Sequence, residues 1–196
     1  MTDQLFPDTP WRDCCNDAFD GMRDDLPASR YIGTQLLSNA GKDELQRLLG
    51  ELVLVFCDFR EFGDDEIYLK LGTLLSRFEK HDHPIALLHC LYCMASVTSG
   101  RGLYQTAYEF GQIRLVPLLQ SLPPCHEVVR ILNVLGVLAI EYNLPEEAMQ
   151  HYFSALAMAR TLDMPNFWIA QIKANIAEIL CNSGNSEEAE DRKSVV

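Results

Sequence analysis

An internal repeat of 41 residues constrains the fold of this chain more than any other feature of its sequence. Small residues recur at this interval in two series, and residues that favour a left-handed turn recur in a third. The series are Ala95, Gly136 and Ala177; Ala107, Ala148 and Ala189; and Gly102, Asn143 and Gly184. Proline keeps the same interval at Pro124 and Pro165. This shared register indicates a repeated structural unit rather than a coincidence.

The residues between these positions have the spacing of helices. Apolar residues recur at helical intervals from about Pro10 onward, and strand patterns are nearly absent. Proline and short acidic or hydroxyl residues mark helix starts, whereas glycine and asparagine mark helix ends. Helices are predicted at about 10–24, 27–39, 43–61, 64–80, 84–99, 103–121, 125–142, 145–162, 165–182 and from about 185 onward. The sequence therefore predicts an all-α protein.

The repeat also predicts how the helices pair. A small residue in each of two helices lets their axes approach closely, and a left-handed residue between them reverses the chain. One such hairpin cannot bury both of its apolar faces, so it stacks on the next hairpin. We therefore expect a superhelical solenoid of antiparallel helix pairs with a concave surface.

Residues 127–165 resemble the tetratricopeptide repeat, or TPR. The family's Leu-Gly pair, two small residues and aromatic residue are matched by Leu135, Gly136, Ala148, Ala155 and Tyr152. The copy departs from the family at Leu132, where the family has tryptophan, and at Ala139, where it has tyrosine. The resemblance implies a long-linker TPR variant, which is a right-handed superhelical solenoid that binds a protein or peptide in its concave groove.

The resemblance implies a division of the chain into repeats. The expected repeats are a degenerate copy at 43–81, copies at 84–122 and 125–163, and a truncated copy at 166–196. Residues 10–42 are expected to form N-terminal helices that cap the solenoid, and residues 1–9 are expected to be disordered. Because the last copy stops in mid-helix, we expect either that the chain is part of a longer protein or that a short final helix ends the solenoid without a proper cap.

Charge and cysteine content exclude several functions. The net charge of −12 repels nucleic acids and anionic membrane surfaces. The sequence also lacks a membrane-spanning apolar run and a signal peptide. The number of cysteines is odd, and most of them lie in apolar helical runs, which suits a reducing compartment. We therefore expect a cytoplasmic protein that binds neither nucleic acid nor membrane.

The segment "HCLYC", residues 89–93, is the strongest candidate for chemistry. Its Cys90 and Cys93 have the spacing of a zinc or redox motif, and His81 and His83 lie upstream. The repeat favours core packing instead, because Cys90 corresponds to Ile131. A second cysteine pair, a phosphate-binding loop and a nucleophile motif are all lacking. We therefore expect no catalytic residue, metal or cofactor, although the metal and redox readings stay open.

First-helix residues that would face the concave groove recur at the repeat interval. These candidate partner-binding residues are His89, Tyr92, Ser96, Arg130, Asn133, Val137, Gln171 and Glu178. The row that contains His89 and Arg130 is expected to be polar and exposed. A mixture of polar groups and an aromatic ring suits an extended peptide or a helix.

Three functions fit these expectations. The preferred function is a non-catalytic interaction or sensory domain, because the repeat style resembles the N-terminal TPR regions of bacterial signalling proteins such as GGDEF diguanylate cyclases. A stand-alone peptide-binding adaptor or chaperone is one alternative. The regulatory region of a diguanylate cyclase with a catalytic domain beyond Val196 is another. A homodimer would cover Ile176, Ile179 and Leu180 on the last repeat.

Overall fold

The computed structural model describes the backbone of residues 10–22, 24–63 and 66–193, and the side chains of 11–22, 24–63 and 66–182. Over these ranges the chain forms only helices. They are α1 Pro10–Gly21, α2 Leu26–Asn39, α3 Glu44–Phe62, α4 Glu66–Phe78, α5 Pro84–Gly100, α6 Tyr104–Phe110, a π-helical segment Gly111–Leu115, α7 Val116–Gln120, α8 His126–Glu141, α9 Pro145–Thr161 and α10 Asn166–Lys193. The all-α prediction is confirmed. The disorder expected for residues 1–9 concerns residues outside the described ranges.

Capping side chains explain several helix starts. The carboxylate of Asp25 accepts a hydrogen bond from the backbone N–H three residues later at 3.0 Å, and Asp43 does the same at 3.0 Å. These bonds satisfy N–H groups that lack a partner within their own helix. Pro84 and Pro145 occupy the first positions of α5 and α9, where a missing N–H costs nothing.

Residues with a left-handed backbone conformation follow three helices at positions where the sequence predicts a turn. Gly63, Gly102 and Asn143 have φ values of 65°, 76° and 63°. After α5, the N–H of Leu103 donates to the carbonyl of Thr98, five residues earlier. After α8, the N–H of Leu144 donates to the carbonyl of Ala139 in the same way. The two turns are therefore built alike, and the turns predicted at Gly102 and Asn143 are present.

The prediction of a third such turn at Gly184 is wrong. The helix α10 continues through this residue to Lys193, so the structure has no hairpin there over the described residues. Glycine permits a left-handed conformation but does not require one. The residue that does reverse the chain before α10 is Asp163, with φ of 51°, because aspartate also tolerates this region.

The helix predicted at 103–121 is divided into three parts. Its middle part, Gly111–Leu115, is π-helical and is followed by Pro117 near the start of α7. Proline lacks a backbone N–H and clashes with the carbonyl four residues earlier, so a regular α-helix cannot continue through it unchanged. A wider helical turn just before the proline accommodates it.

The helices fall into two compact units, one ending at Pro123 and one beginning at Pro124. In the first unit α3 is central, since it packs against α1, α2, α4 and α5. Its buried residues include Leu48, Leu49, Leu52, Val53 and Phe56. In the second unit α9 packs against both α8 and α10. Within each unit, each helix thus lies beside its neighbour in sequence, as short connections require.

A close crossing of α2 and α3 was not visible in the sequence. A Cβ atom added at Gly50 would lie 2.7 Å from the backbone nitrogen of Leu37, and one added at Gly33 would lie 2.7 Å from a side-chain atom of Val53. Both distances are too short for non-bonded atoms. The two helices can therefore approach this closely only because both positions are glycine.

The second unit has a corresponding crossing between α8 and α9. A Cβ atom at Gly136 would lie 2.4 Å from the ring of Tyr152. The amide of Asn175 in α10 donates a hydrogen bond of 2.9 Å to the side-chain oxygen of Asn133 in α8. The helix α10 is thus in contact with both helices of the preceding hairpin.

Candidate functional site

The cysteines of the "HCLYC" segment are core residues. Cys90 and Cys93 are fully buried, and all seven cysteines of the chain are in the thiol form. Burial raises the pKa of the Cys90 thiol to about 12. Nucleophilic and metal-binding cysteines need an accessible thiolate, which this environment disfavours strongly. Cys90 therefore has the packing role that its correspondence to Ile131 indicates.

Of the two histidines upstream of this segment, His83 caps the start of α5. The Nδ1 atom of His83 accepts a hydrogen bond of 3.3 Å from the backbone N–H of Ala86, and its ring meets that of Trp11 edge-on at 5.1 Å. Burial holds the pKa of His83 below its usual value. Within the described ranges, no three His, Cys, Asp or Glu side chains are grouped as a metal site would require.

His89 is not exposed, so this part of the groove prediction is wrong. Only 2% of its surface is accessible, and its ring stacks on Phe19 of α1 at 4.9 Å. Tyr92 is half-buried and meets Phe19 and Phe56 edge-on at 5.8 and 5.6 Å. The face of α5 that was assigned to a groove therefore packs against α1 and α3. Ser96, one turn further along, is half-buried.

The corresponding residues of the second unit are also less accessible than predicted. Arg130 is 2% exposed, so the prediction of an exposed row is wrong for it as well, and Asn133, in the neighbouring row, is 4% exposed. The Arg130 guanidinium lies 5.9 Å from the centre of the Trp168 ring, a cation–π distance. Spacing alone had placed these residues on one face, but it could not show that α10 lies against that face.

The remaining predicted site residues keep some exposure. Val137 and Gln171 are half-buried, and Glu178 is exposed. Of the apolar residues expected to be open on the last helix, Ile176 and Ile179 are only 9% exposed and Leu180 is 58% exposed. The structure therefore leaves a smaller apolar surface on α10 than the sequence predicted.

A cleft between α3 and α4 is the candidate site that the sequence did not reveal. It encloses about 430 Å³ and is open on one side. Four residues of each helix line it, at positions i, i+3, i+4 and i+7. They are Glu51, Leu54, Val55 and Asp58 from α3, and Lys70, Thr73, Leu74 and Arg77 from α4. In each set of four, the first and last residues are charged and the two between them are apolar or neutral.

Ion pairs fix the charged groups around this cleft. Arg77 donates to Glu51 at 2.6 Å and to Glu44 at 2.7 Å, which ties α4 to α3. The hydrogen bond from Arg77 holds the pKa of Glu44 below its usual value. Arg30 of α2 donates to Asp58 at 2.7 Å. These partners are 26 to 33 residues apart, so a local sequence pattern could not have paired them.

Comparisons of the chain with models of known protein families and with curated proteins find no match. Among the described helices, none combines the length and the apolar character that a membrane crossing requires. Any function assigned to the chain therefore rests on its own residues and their arrangement.

Proposed function

We propose that this chain is a non-catalytic, TPR-like interaction domain of a regulatory protein. The observation that carries the proposal is the repeated hairpin. The turns after α5 and α8 have the same five-residue hydrogen bond and a left-handed residue 41 positions apart. Helical-repeat units of this kind stack to build extended binding surfaces.

Two packing observations support a solenoid of such hairpins. Gly136 and Tyr152 form the close contact between the two helices of one hairpin, at the positions where the TPR family has its glycine and aromatic residue. The Asn133–Asn175 hydrogen bond then joins the first helix of that hairpin to the next helix of the chain. This contact between successive first helices is what stacking of repeats requires.

The chemistry of the cysteines supports a role without catalysis. Burial raises the pKa of Cys57 to about 11 and that of Cys90 to about 12, so both thiols stay protonated at neutral pH. Thiols that are kept protonated are poor nucleophiles. Seven cysteines in the thiol form also suit a reducing compartment, so we place the protein in the cytoplasm.

Proximity labelling in the cells that express the chain tests the interaction role. The chain is fused to a labelling enzyme, and labelled proteins are compared with those from the enzyme alone. We expect a small set of proteins enriched by the fusion, and addition of the purified chain should compete with their capture. Labelling that does not exceed the enzyme-only background would contradict the proposal.

We also propose that the chain associates with itself, because Leu180 and other residues of α10 are exposed. The purified chain tests this. Light scattering over a range of concentrations should show a rise from monomer to dimer mass. A constant monomer mass up to high concentration would refute the dimer without affecting the interaction role.

A further inference from the structure

The charged residues at the two ends of the α3–α4 cleft form different ion pairs. At one end Glu51 and Arg77 form an ion pair across the two helices, so neither needs an outside partner. At the other end the corresponding pair would be Asp58 and Lys70, because the helices run in opposite directions. Asp58 is instead bonded to Arg30 of α2 at 2.7 Å.

Lys70 is the remaining charged residue of the cleft lining. It is exposed, and no carboxylate in the described part of the chain forms an ion pair with it. Arg30 also binds Glu61 at 2.6 Å, so the second nearby acid of α3 is committed to the same guanidinium. Among the described ion pairs none involves Lys70, so its ammonium can pair with a carboxylate from outside the chain.

The floor of the cleft supplies the second part of a recognition surface. Leu54, Val55 and Leu74 lie between the charged ends, and all three are half-buried or buried. The hydroxyl of Thr73 on the rim donates to the carbonyl of Leu69 at 3.1 Å, so it can still accept a hydrogen bond from a ligand. An apolar side chain of moderate size would therefore be desolvated beside the Lys70 ammonium.

We propose that the α3–α4 cleft binds a segment of a partner protein that presents one carboxylate next to an apolar side chain. The carboxylate pairs with Lys70, and the apolar side chain packs on Leu54, Val55 and Leu74. The ion pair of Glu51 and Arg77 bounds the site at its other end. This inference rests on the proposed interaction role and names the chemistry of the partner.

The overall charge of the chain restricts this partner further. A net charge of −12 repels a strongly acidic segment over distances up to the Debye length, about 8 Å at physiological ionic strength. A single carboxylate that is surrounded by apolar residues avoids most of this repulsion. The open side of the cleft also favours a continuous chain segment over a small ligand, because small-ligand sites enclose most of the ligand surface.

Selection of peptides from a random display library on the purified full-length chain tests the inference. We expect the enriched peptides to share an aspartate or glutamate beside a leucine, isoleucine, valine or phenylalanine. Binding of one synthetic peptide from this set is then measured by fluorescence anisotropy. Lys70→Glu should weaken it about tenfold, since an attraction becomes a repulsion.

Two further variants connect the loss of binding to the cleft. Thr73→Arg should weaken binding because its long side chain fills the cleft, whereas Lys80→Glu makes the same charge change at an exposed lysine outside it and should leave binding unchanged. Library selection on the Lys70→Glu variant should enrich lysine or arginine in place of the carboxylate. Circular dichroism verifies that each variant keeps the helical content of the parent.

Three results would overturn the inference. They are enrichment of the same acidic peptides by the Lys70→Glu variant, binding of small free carboxylic acids in place of peptides, and absence of any peptide enrichment. If the proteins labelled in cells are still captured by the Lys70→Glu variant, the interaction role stands and only this site is wrong. If no protein is labelled at all, the interaction role itself fails.

Discussion

Replacing Gly50 by alanine is predicted to destabilise the first unit, although alanine is the better helix former. The added methyl group would lie 2.7 Å from the backbone nitrogen of Leu37 and 3.0 Å from the carbonyl oxygen of Gly33. Non-bonded carbon contacts are favourable near 3.5–4.0 Å, so α2 and α3 would have to separate by roughly 0.5–1 Å. Backbone atoms cannot rotate away as the end of a side chain can.

The magnitude follows from two opposing effects. Overpacking of a tightly packed site costs about 1–3 kcal/mol. Alanine in place of glycine within a helix contributes about 1 kcal/mol in the opposite direction. Because the contact is with backbone atoms, we expect the cost of overpacking to lie in the upper part of its range. Gly50→Ala should therefore lower the free energy of unfolding by about 1–2 kcal/mol.

Gly72 provides a matched control in the same unit. It also lies within a helix, α4, but a Cβ atom there would meet no other atom within 4 Å. Only the helix-propensity effect applies, so Gly72→Ala should raise the free energy of unfolding by up to about 1 kcal/mol. The two variants carry the same chemical change and should shift stability in opposite directions.

Urea unfolding followed by tryptophan fluorescence measures both variants. The chain has two tryptophans, of which Trp11 lies in the first unit and Trp168 in the second. A Trp168→Phe background leaves Trp11 as the reporter of the first unit. With a slope of about 2 kcal/mol per molar urea, the midpoints of the two variants should differ by roughly 1 M. Equal midpoints would refute the close crossing of α2 and α3.

Three further predictions concern the second unit, the thiols and the start of α5. Gly136→Ala should destabilise the second unit by about 1–2 kcal/mol, measured by the urea midpoint of Trp168 fluorescence, and shortening Tyr152 to leucine in the same chain should recover part of that loss. A thiol reagent at pH 8 should label the exposed Cys14 and Cys181 rapidly. Cys57 and Cys90 have pKa values of about 11 and 12, so they should react only after unfolding. Rapid labelling of Cys90 would contradict its assignment to the core. Because the pKa of His83 is lowered in the folded chain, the unfolded chain binds more protons, so stability is retained above about pH 6.5 and falls as the pH drops below it. A His83→Asn variant keeps a capping acceptor that does not titrate, and urea midpoints at pH 7.5 and 5.5 should show a smaller acid loss than in the parent.

Local signals in the sequence predicted most of the helices and turns. Asp43 and Pro84 mark helix starts, and Gly63, Gly102 and Asn143 mark ends, because each of these residues has a conformational or hydrogen-bonding preference that acts within a few residues. The helical boundaries accordingly agree with the structure to within about three residues along most of the chain. Gly184 is the exception, because its preference is permissive and the chain continues as a helix.

The candidate site could not be predicted in the same way. The spacing of His89 and Arg130 identified a helix face correctly, but whether a face is exposed depends on the helix that packs against it. Phe19 covers His89 from 70 residues earlier in the chain, a separation at which spacing carries no signal. The cleft depends likewise on the ion pair between Arg30 and Asp58, which lie 28 residues apart. The sequence did contain one clue to the cleft. The charged lining residues of 51–58 in α3 are acids, and those of 70–77 in α4 are bases.

The π-helical segment in the first unit affects which residues of its helix share one buried face. Buried residues before, within and at the end of the segment, Ala107, Gly111 and Leu115, are spaced by four. In a regular α-helix of 3.6 residues per turn, each step of four rotates the side chain by about 40° around the axis, so this stripe would drift away from α5. The wider turns of the segment reduce that drift. The helix thus holds more residues per turn here, and the three buried residues stay on one side of it without a loop between them.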